Sequence, residues 1–233
     1  MLALASPFLI GRGVDVPDDA IHHTIANWEW LRYAWTQGVD PSFVPGKLGG
    51  VPLAADVVPM GPYYPGSWLL FFLPVWLALP VSALLHLIGT FFAIRWLGGL
   101  FGLSPVAASL AGASIAAGPL AVISLIDVHI DVLPIYLWFP VALGAVEAQR
   151  RASNRLQRLH WTLVAAAAIG LLLLGSHLRF SASACVAWGL WALIRRMGIG
   201  WIALVAVLGP LAGAPGYIPG FLAVSEALSL IHI

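Results

Sequence analysis

Val81-Ser82-Ala83-Leu84-Leu85-His86-Leu87-Ile88-Gly89-Thr90-Phe91-Phe92-Ala93-Ile94-Arg95-Trp96-Leu97-Gly98-Gly99-Leu100 decides the class of this fold. As an α-helix rising 1.5 Å per residue it is roughly 30 Å long, the thickness of a bilayer's hydrocarbon core. Its ionisable residues are His86 and, close to one end, Arg95. The chain around it has the same character. Of 233 residues 61% are hydrophobic and 9% charged, against about 25% charged in ordinary soluble domains, and the mean hydropathy is +0.93. The expected fold is therefore all-α, a polytopic transmembrane helical bundle of about six to seven membrane segments.

Five further apolar runs are candidate spans: Pro105 to Leu125, Leu133 to Ala148, Trp161 to Leu174, Ser181 to Ile194 and Ile199 to Ala214. Gly66 to Leu79 reads as a short or re-entrant helix broken near Pro74 and Pro80, because proline lacks the N–H that a helix interior needs. Residues 66–215 are thus the bundle, and 13–65 precede it as a long loop. Met1 to Ile10 is about 15 Å long as a helix, half a hydrocarbon core, so 1–12 is expected to be part of a first transmembrane segment. Residues 216–233 read as a truncated last segment; Leu228-Ser229-Leu230-Ile231-His232-Ile233 is similar to translated adapter sequence. Both ends suggest a fragment.

Within the loop, Pro17 to Gln37 has the pattern of an amphipathic helix. Pro17 suits a first helical position, Asp18 and Asp19 complement the positive end of the helix dipole, and Gly38 supplies the stop. Ile21, Ile25, Trp28, Leu31 and Trp35 make one apolar stripe. Trp28, Trp30, Tyr33 and Trp35 are residue types that settle at a membrane interface, where this helix is expected to lie flat. An ordinary helix packed within the loop would carry the same stripe. Val39 to Pro65 holds Pro41, Pro45, Pro52, Pro59, Pro62 and Pro65 and is expected to turn repeatedly.

Arg95, then Arg150, Arg151, Arg155 and Arg158, then Arg195 and Arg196 fall on alternate connections, which the positive-inside rule assigns to the cytoplasm. Glu147 is the acid expected on that side. The opposite connections carry Asp15, Asp18, Asp19, Asp40 and Asp56, then Asp127, His129 and Asp131, then His177 and Arg179, all expected outside. A net charge of +1 leaves no basic surface for nucleic acid. Cys185, the one cysteine, lies in an apolar run and fits a packed small hydrophobe.

Three external groups carry candidate chemistry. Asp18 with His22, and Asp19 with His23, stand four residues apart on a helix. Such a set binds a divalent metal ion, orients a phosphate through it, or supplies a general base near neutral pH. A helix start with favourable acids and two solvated histidines explains the same residues. In an extended turn Asp127, His129 and Asp131 would point one way, lining a metal site or polar pocket, although any short external loop is polar. Arg179, after Gly175-Ser176-His177-Leu178, runs against the positive-inside trend; it suits an anionic partner or snorkels to headgroups. His86, alone in its span, fits a hydrogen bond to a neighbouring helix better than catalysis. No P-loop, dinucleotide fingerprint, nucleophile elbow or paired-cysteine metal motif is present.

The order of these motifs resembles a family. An acidic pair and amphipathic helix are followed by Gly46-Lys47-Leu48-Gly49-Gly50-Val51-Pro52-Leu53, then Tyr63-Tyr64-Pro65, then Leu84-Leu85-His86, then Gly175-Ser176-His177-Leu178. This is similar to the N-terminal part of YfhO-type bacterial membrane proteins, which belong with the GT-C-like glycosyltransferases. In that pattern a "W-x-P" element and a "G-G-H" element occur; here Ser42-Phe43-Val44-Pro45 lacks the tryptophan and Ser176 replaces the second glycine. The resemblance implies an enzyme of the bacterial cytoplasmic membrane, its acidic loops extracytoplasmic. It would transfer a sugar from a polyprenyl-phosphate donor to a cell-envelope acceptor. It also implies a catalytic acid in the first external loop, which here is Asp18 or Asp19, then Asp15. His22, His177, Arg179, Asp127, His129 and Asp131 are the substrate-binding candidates, and Asp18, Asp19 and His22 the candidates for a metal. The partners implied are the polyprenyl-linked sugar and membrane lipids. A transporter or lipid-handling protein without transferase chemistry is the alternative; it should place ionisable groups at mid-bilayer.

Overall fold

The structure, a computed structural model, describes residues 24–41, 43–44, 51–52, 61–119, 121 and 130–231. It is helical apart from one two-residue antiparallel pairing, in which Phe43 faces Pro52 and Val44 faces Val51. The helices are α1 (Ala26–Gln37), α2 (Val75–Leu100), α3 (Pro105–Ala116), α4 (Leu133–Arg151), α5 (Arg155–Gly175), α6 (Leu178–Ile194) and α7 (Ile199–Ile231). A 3-10 segment, Pro65–Phe71, leads into α2, and a single 3-10 turn, Ile130–Val132, into α4. Four helical stretches are long and apolar enough to cross a membrane: Val75–Leu100, Ile130–Arg151, Arg155–Gly175 and Ile199–Ile218. Pro105–Ala116 and Leu178–Ile194 are shorter apolar helices.

Short connections force α4 to α7 to alternate in direction. Residues 152–154 join α4 to α5, 176–177 join α5 to α6, and 195–198 join α6 to α7. All odd-and-even turns therefore collect at two ends. Arg150, Arg151, Arg155, Arg158, Arg195 and Arg196 gather at one, the basic end. There Glu147, fully buried, accepts from Arg195 Nε at 2.5 Å and Nη2 at 2.7 Å and from Arg150 Nη1 at 3.2 Å. Arg151 Nη2 donates to the Leu100 carbonyl, tying the end of α4 to the end of α2. Among the described residues the arginines of the two connections 152–154 and 195–198 thus collect at one end, as the alternation in the sequence led us to expect.

The expected boundaries change at four places. Pro80 does not break its helix: it lies inside α2, where its missing N–H leaves only the Trp76 carbonyl, in the first turn, without its helical donor. Pro74 is instead the residue before the first turn of α2. The segment begun at Pro105 stops as a helix at Ala116, ahead of Gly118 and Pro119, since a residue before proline is pushed away from helical geometry. α7 runs past Ala214 to Ile231. The loop helix ends at Gly38 as expected, with φ +66° and its N–H on the Ala34 carbonyl; the start proposed at Pro17 lies outside the described residues. Its stripe faces protein: Trp28 and Leu31 are fully buried in one core with Tyr64, Leu70, Val75 and Ala78, and Trp35 stacks on Phe71 at 4.3 Å.

A second core, Ala142, Ala145, Val146, Ala165, Ala168, Ile169, Trp188, Ala192 and Val205, binds α4 to α7 together. Its small residues let backbones approach closely, the mode by which helices associate where the hydrophobic effect supplies no driving force. α5 and α7 approach closely through their glycines. A Cβ on Gly209 would lie 2.6 Å from Ile169 Cγ2, and one on Gly213 would lie 2.8 Å from Leu173 Cβ; one on Gly170 would meet Ala212 Cβ at 2.8 Å. Gly209-Pro210-Leu211-Ala212-Gly213 is a G-x-x-x-G step that the sequence already displays. Gly189 of α6 faces open space. We expect Gly209→Ala and Gly213→Ala each to destabilise the protein by about 1–3 kcal/mol through overpacking. Gly189→Ala should leave stability unchanged or raise it by up to about 1 kcal/mol; thermal unfolding in detergent reads both signs.

Candidate functional site

At the end opposite the basic one, Tyr64 anchors a buried polar chain. Local geometry places it. The Tyr64 N–H bonds the Gly61 carbonyl at 3.1 Å, and the Ser67 hydroxyl, fully buried, lies 2.7 Å from the carbonyls of both Gly61 and Tyr64. Trp68 Nε1 donates to the Pro62 carbonyl at 3.1 Å. Pro65 opens the 3-10 segment, where its fixed φ suits a first helical position. Tyr64 is thereby turned inward while Tyr63 remains exposed.

Inside, the Tyr64 hydroxyl lies 2.5 Å from His86 Nε2 and receives Trp138 Nε1–H at 2.9 Å. His86 Nδ1 lies 2.7 Å from the Ser82 carbonyl. A carbonyl only accepts, so Nδ1 carries the proton and Nε2 of the neutral ring is the acceptor. The direction of the chain follows: Trp138 N–H donates to Tyr64, Tyr64 O–H donates to His86, and His86 N–H donates to Ser82. Burial pushes the Tyr64 phenol well above its ordinary value near 10, opposed in part by the Trp138 bond. The phenol therefore stays neutral and donates.

Glycines make room for the ring. A Cβ on Gly66 would stand 2.6 Å from Tyr64 Cε1 and 3.1 Å from His86 Cε1; one on Gly175 would stand 2.5 Å from Tyr64 Cε2 and 2.8 Å from Pro134 Cβ. Three segments far apart in sequence, Tyr63-Tyr64-Pro65, Leu84-Leu85-His86 and the Gly175 element, thus meet on one aromatic ring. His86 is hydrogen-bonded, but its side-chain partner is Tyr64 of the preceding loop and not the neighbouring helix expected from the sequence. Tyr64 and Trp138 were not among the sequence's candidate site residues. The Tyr-Pro pair was a signal for the first; nothing in the local sequence marks Trp138.

The other candidates divide. Asp15, Asp18, Asp19, His22, His23, Asp56, Asp127 and His129 lie outside the described residues. Asp131 is buried and sits in the 3-10 turn Ile130–Val132, so the extended alternation expected through Asp127, His129 and Asp131 does not reach it. The turn runs straight into α4, and helical geometry replaces the period of two. Asp131 stands one turn ahead of Pro134, which packs on Gly175. His177 is the residue before the first turn of α6, its ring edge-on to Phe180 at 6.3 Å. Arg179 is exposed with its guanidinium 4.7 Å from the Phe180 ring, a cation–π contact. Between Gly175 and His177, the buried Ser176 hydroxyl has no hydrogen-bond partner among the described residues. Arg32 of α1, which the charge sorting passed over, is half-buried; its Nε is likewise unpartnered among the described residues. Among the described residues no group of three or more His, Cys, Asp or Glu side chains could hold a metal ion.

Compared with family models, curated proteins and solved structures, the chain matches none of them significantly.

Tyr64→Phe should destabilise by about 2–4 kcal/mol, because it orphans His86 Nε2 and Trp138 Nε1 in an apolar interior. The unfolded chain's tyrosine ionises near pH 10 while the folded one does not, so stability contributed by Tyr64 is complete below that pH and declines as pH rises above it. Thermal unfolding followed from pH 8 to 11 should accordingly show a steeper alkaline loss in the native protein than in Tyr64→Phe.

Proposed function

We propose that this chain belongs to a membrane-embedded glycosyltransferase of the GT-C-like, YfhO-type class. It would take a sugar from a polyprenyl-phosphate donor to a cell-envelope acceptor at the outer face of a bacterial cytoplasmic membrane. The observation that carries the reading is the meeting of Tyr64, His86 and Gly175: motifs that resemble the family one at a time also pack as one unit. The arginine sorting supports the orientation, since the positive-inside rule turns the basic end to the cytoplasm and the Tyr64 end outward.

On this reading the bundle's Tyr64 end is the rigid floor beneath the acidic loop. Asp18 or Asp19, with Asp15 as the further candidate, takes the proton of the acceptor hydroxyl as its oxygen attacks the anomeric carbon. The bond from that carbon to the phosphate oxygen breaks, and the lipid phosphate leaves with the electron pair. His22, His177 and Arg179 would meet that charge, and Asp127, His129 and Asp131 would bind sugar hydroxyls. A divalent metal at Asp18, Asp19 and His22 would add charge stabilisation. The polyprenyl tail would lie in grooves between helices.

The test is sugar transfer from a labelled polyprenyl-phosphate donor in membranes carrying the full-length protein. Asp18→Asn with Asp19→Asn should cut transfer at least 100-fold while membrane insertion and thermal stability are kept. Undiminished transfer overturns the assignment, and gradient-coupled uptake of solute into sealed vesicles would mark a transporter instead.

A further inference from the structure

The basic end carries a second site. The ends of α2 and α4 and the start of α5 enclose an open cleft of about 650 Å³ whose lining includes Leu100, Arg151, Leu156, Gln157, His160 and Trp161. No acidic residue lines it. Glu147, the nearby acid, already serves Arg150 and Arg195. Among the described residues neither Arg151, Arg155 nor Arg158 is paired with an acid.

The donors in the cleft are oriented but unspent. Arg151 is held by its bond from Nη2 to the Leu100 carbonyl, which leaves the other guanidinium N–H groups. Gln157 Oε1 accepts from Ser153 N at 3.0 Å and Ser153 Oγ at 3.1 Å, so its amide NH₂ points away from that turn. Gln157, His160 and Trp161 lie three and four residues apart on α5 and share a face. On the adjoining face of α5, at the same height, Leu156, Leu159 and Leu163 are 76%, 54% and 53% exposed. At spacings of three and four they form an apolar track running from the cleft along α5 toward the middle of the span.

A guanidinium, an amide and an imidazole beside an apolar track match a phosphate with acyl chains attached. We propose that this cleft binds the headgroup of an anionic phospholipid of the surrounding leaflet, its phosphate on Arg151, Gln157 and His160 and a chain along Leu156, Leu159 and Leu163. Basic pockets between helix ends on the cytoplasmic side recognise such headgroups through the same chemistry. The apolar track selects a lipid over a free anion.

Native mass spectrometry of the full chain in detergent, titrated with phosphatidylglycerol or phosphatidylcholine of the same acyl chains, tests this. Phosphatidylglycerol should bind at least tenfold tighter. Arg151→Gln, and separately Gln157→Ala with His160→Ala, should each remove about tenfold of that preference. The second pair is solvent-exposed, so it reports even if Arg151→Gln fails to fold. Arg196→Gln, the same charge loss at the same end but outside the cleft, should leave the preference intact. Equal binding of the two lipids overturns the proposal. So does an equal loss with Arg196→Gln, which would mark diffuse attraction, or binding of soluble glycerol phosphate as tight as that of phosphatidylglycerol, which would mark a free-anion site.

Discussion

A hydroxyl carried into an apolar bundle has to be paired, and the pairing of Tyr64 is the constraint around which one half of this molecule is arranged. Left unpartnered, a buried phenol costs on the order of 1–3 kcal/mol. Here it is held between Trp138 and His86 at 2.9 and 2.5 Å, and the imidazole is fixed in turn by Ser82. The loop before α2, the α2 helix and the α4 helix are thereby joined by bonds whose direction is set at every step. Gly66 and Gly175 are the steric counterpart: each leaves out the one atom that would collide with the ring.

The opposite half obeys a different rule. Its core is mainly alanine, glycine and valine, and its helices are bound by close approach and by the Glu147 ion pairs at their ends. The two halves divide the work. One holds the buried polar chain of Tyr64, His86 and Trp138 in place, and the other gathers arginines at its end, of which Arg150 and Arg195 pair with Glu147.

Comparison of particular elements shows why some readings from the sequence transferred and others did not. The helix stop at Gly38 was legible because a left-handed residue at a helix end is a local property, and four of the expected spans were legible because hydropathy integrates over about 20 residues. The effect of Pro80 was misjudged: proline's local cost is real, but its place so near the start of α2 confines that cost to one early carbonyl. The extended geometry assigned to Asp131 failed because the turn there is already coupled to α4. Trp138 was invisible as a site residue, since its function in the chain exists only once Tyr64 is brought across 74 residues to meet it.

Composition and periodicity, which are properties of the chain alone, determined that this protein is a helical bundle apolar enough for a membrane, and the spacing of its arginines determined that charge would collect on alternate connections. The tertiary structure alone decided which distant residues share a site. Hydrogen bonds between residues such as Tyr64, His86 and Trp138, and the collision a methyl group at Gly175 would cause, depend on distances of 2–3 Å between segments. No local pattern encodes such distances; they arise when helices pack and every buried polar atom must find its partner.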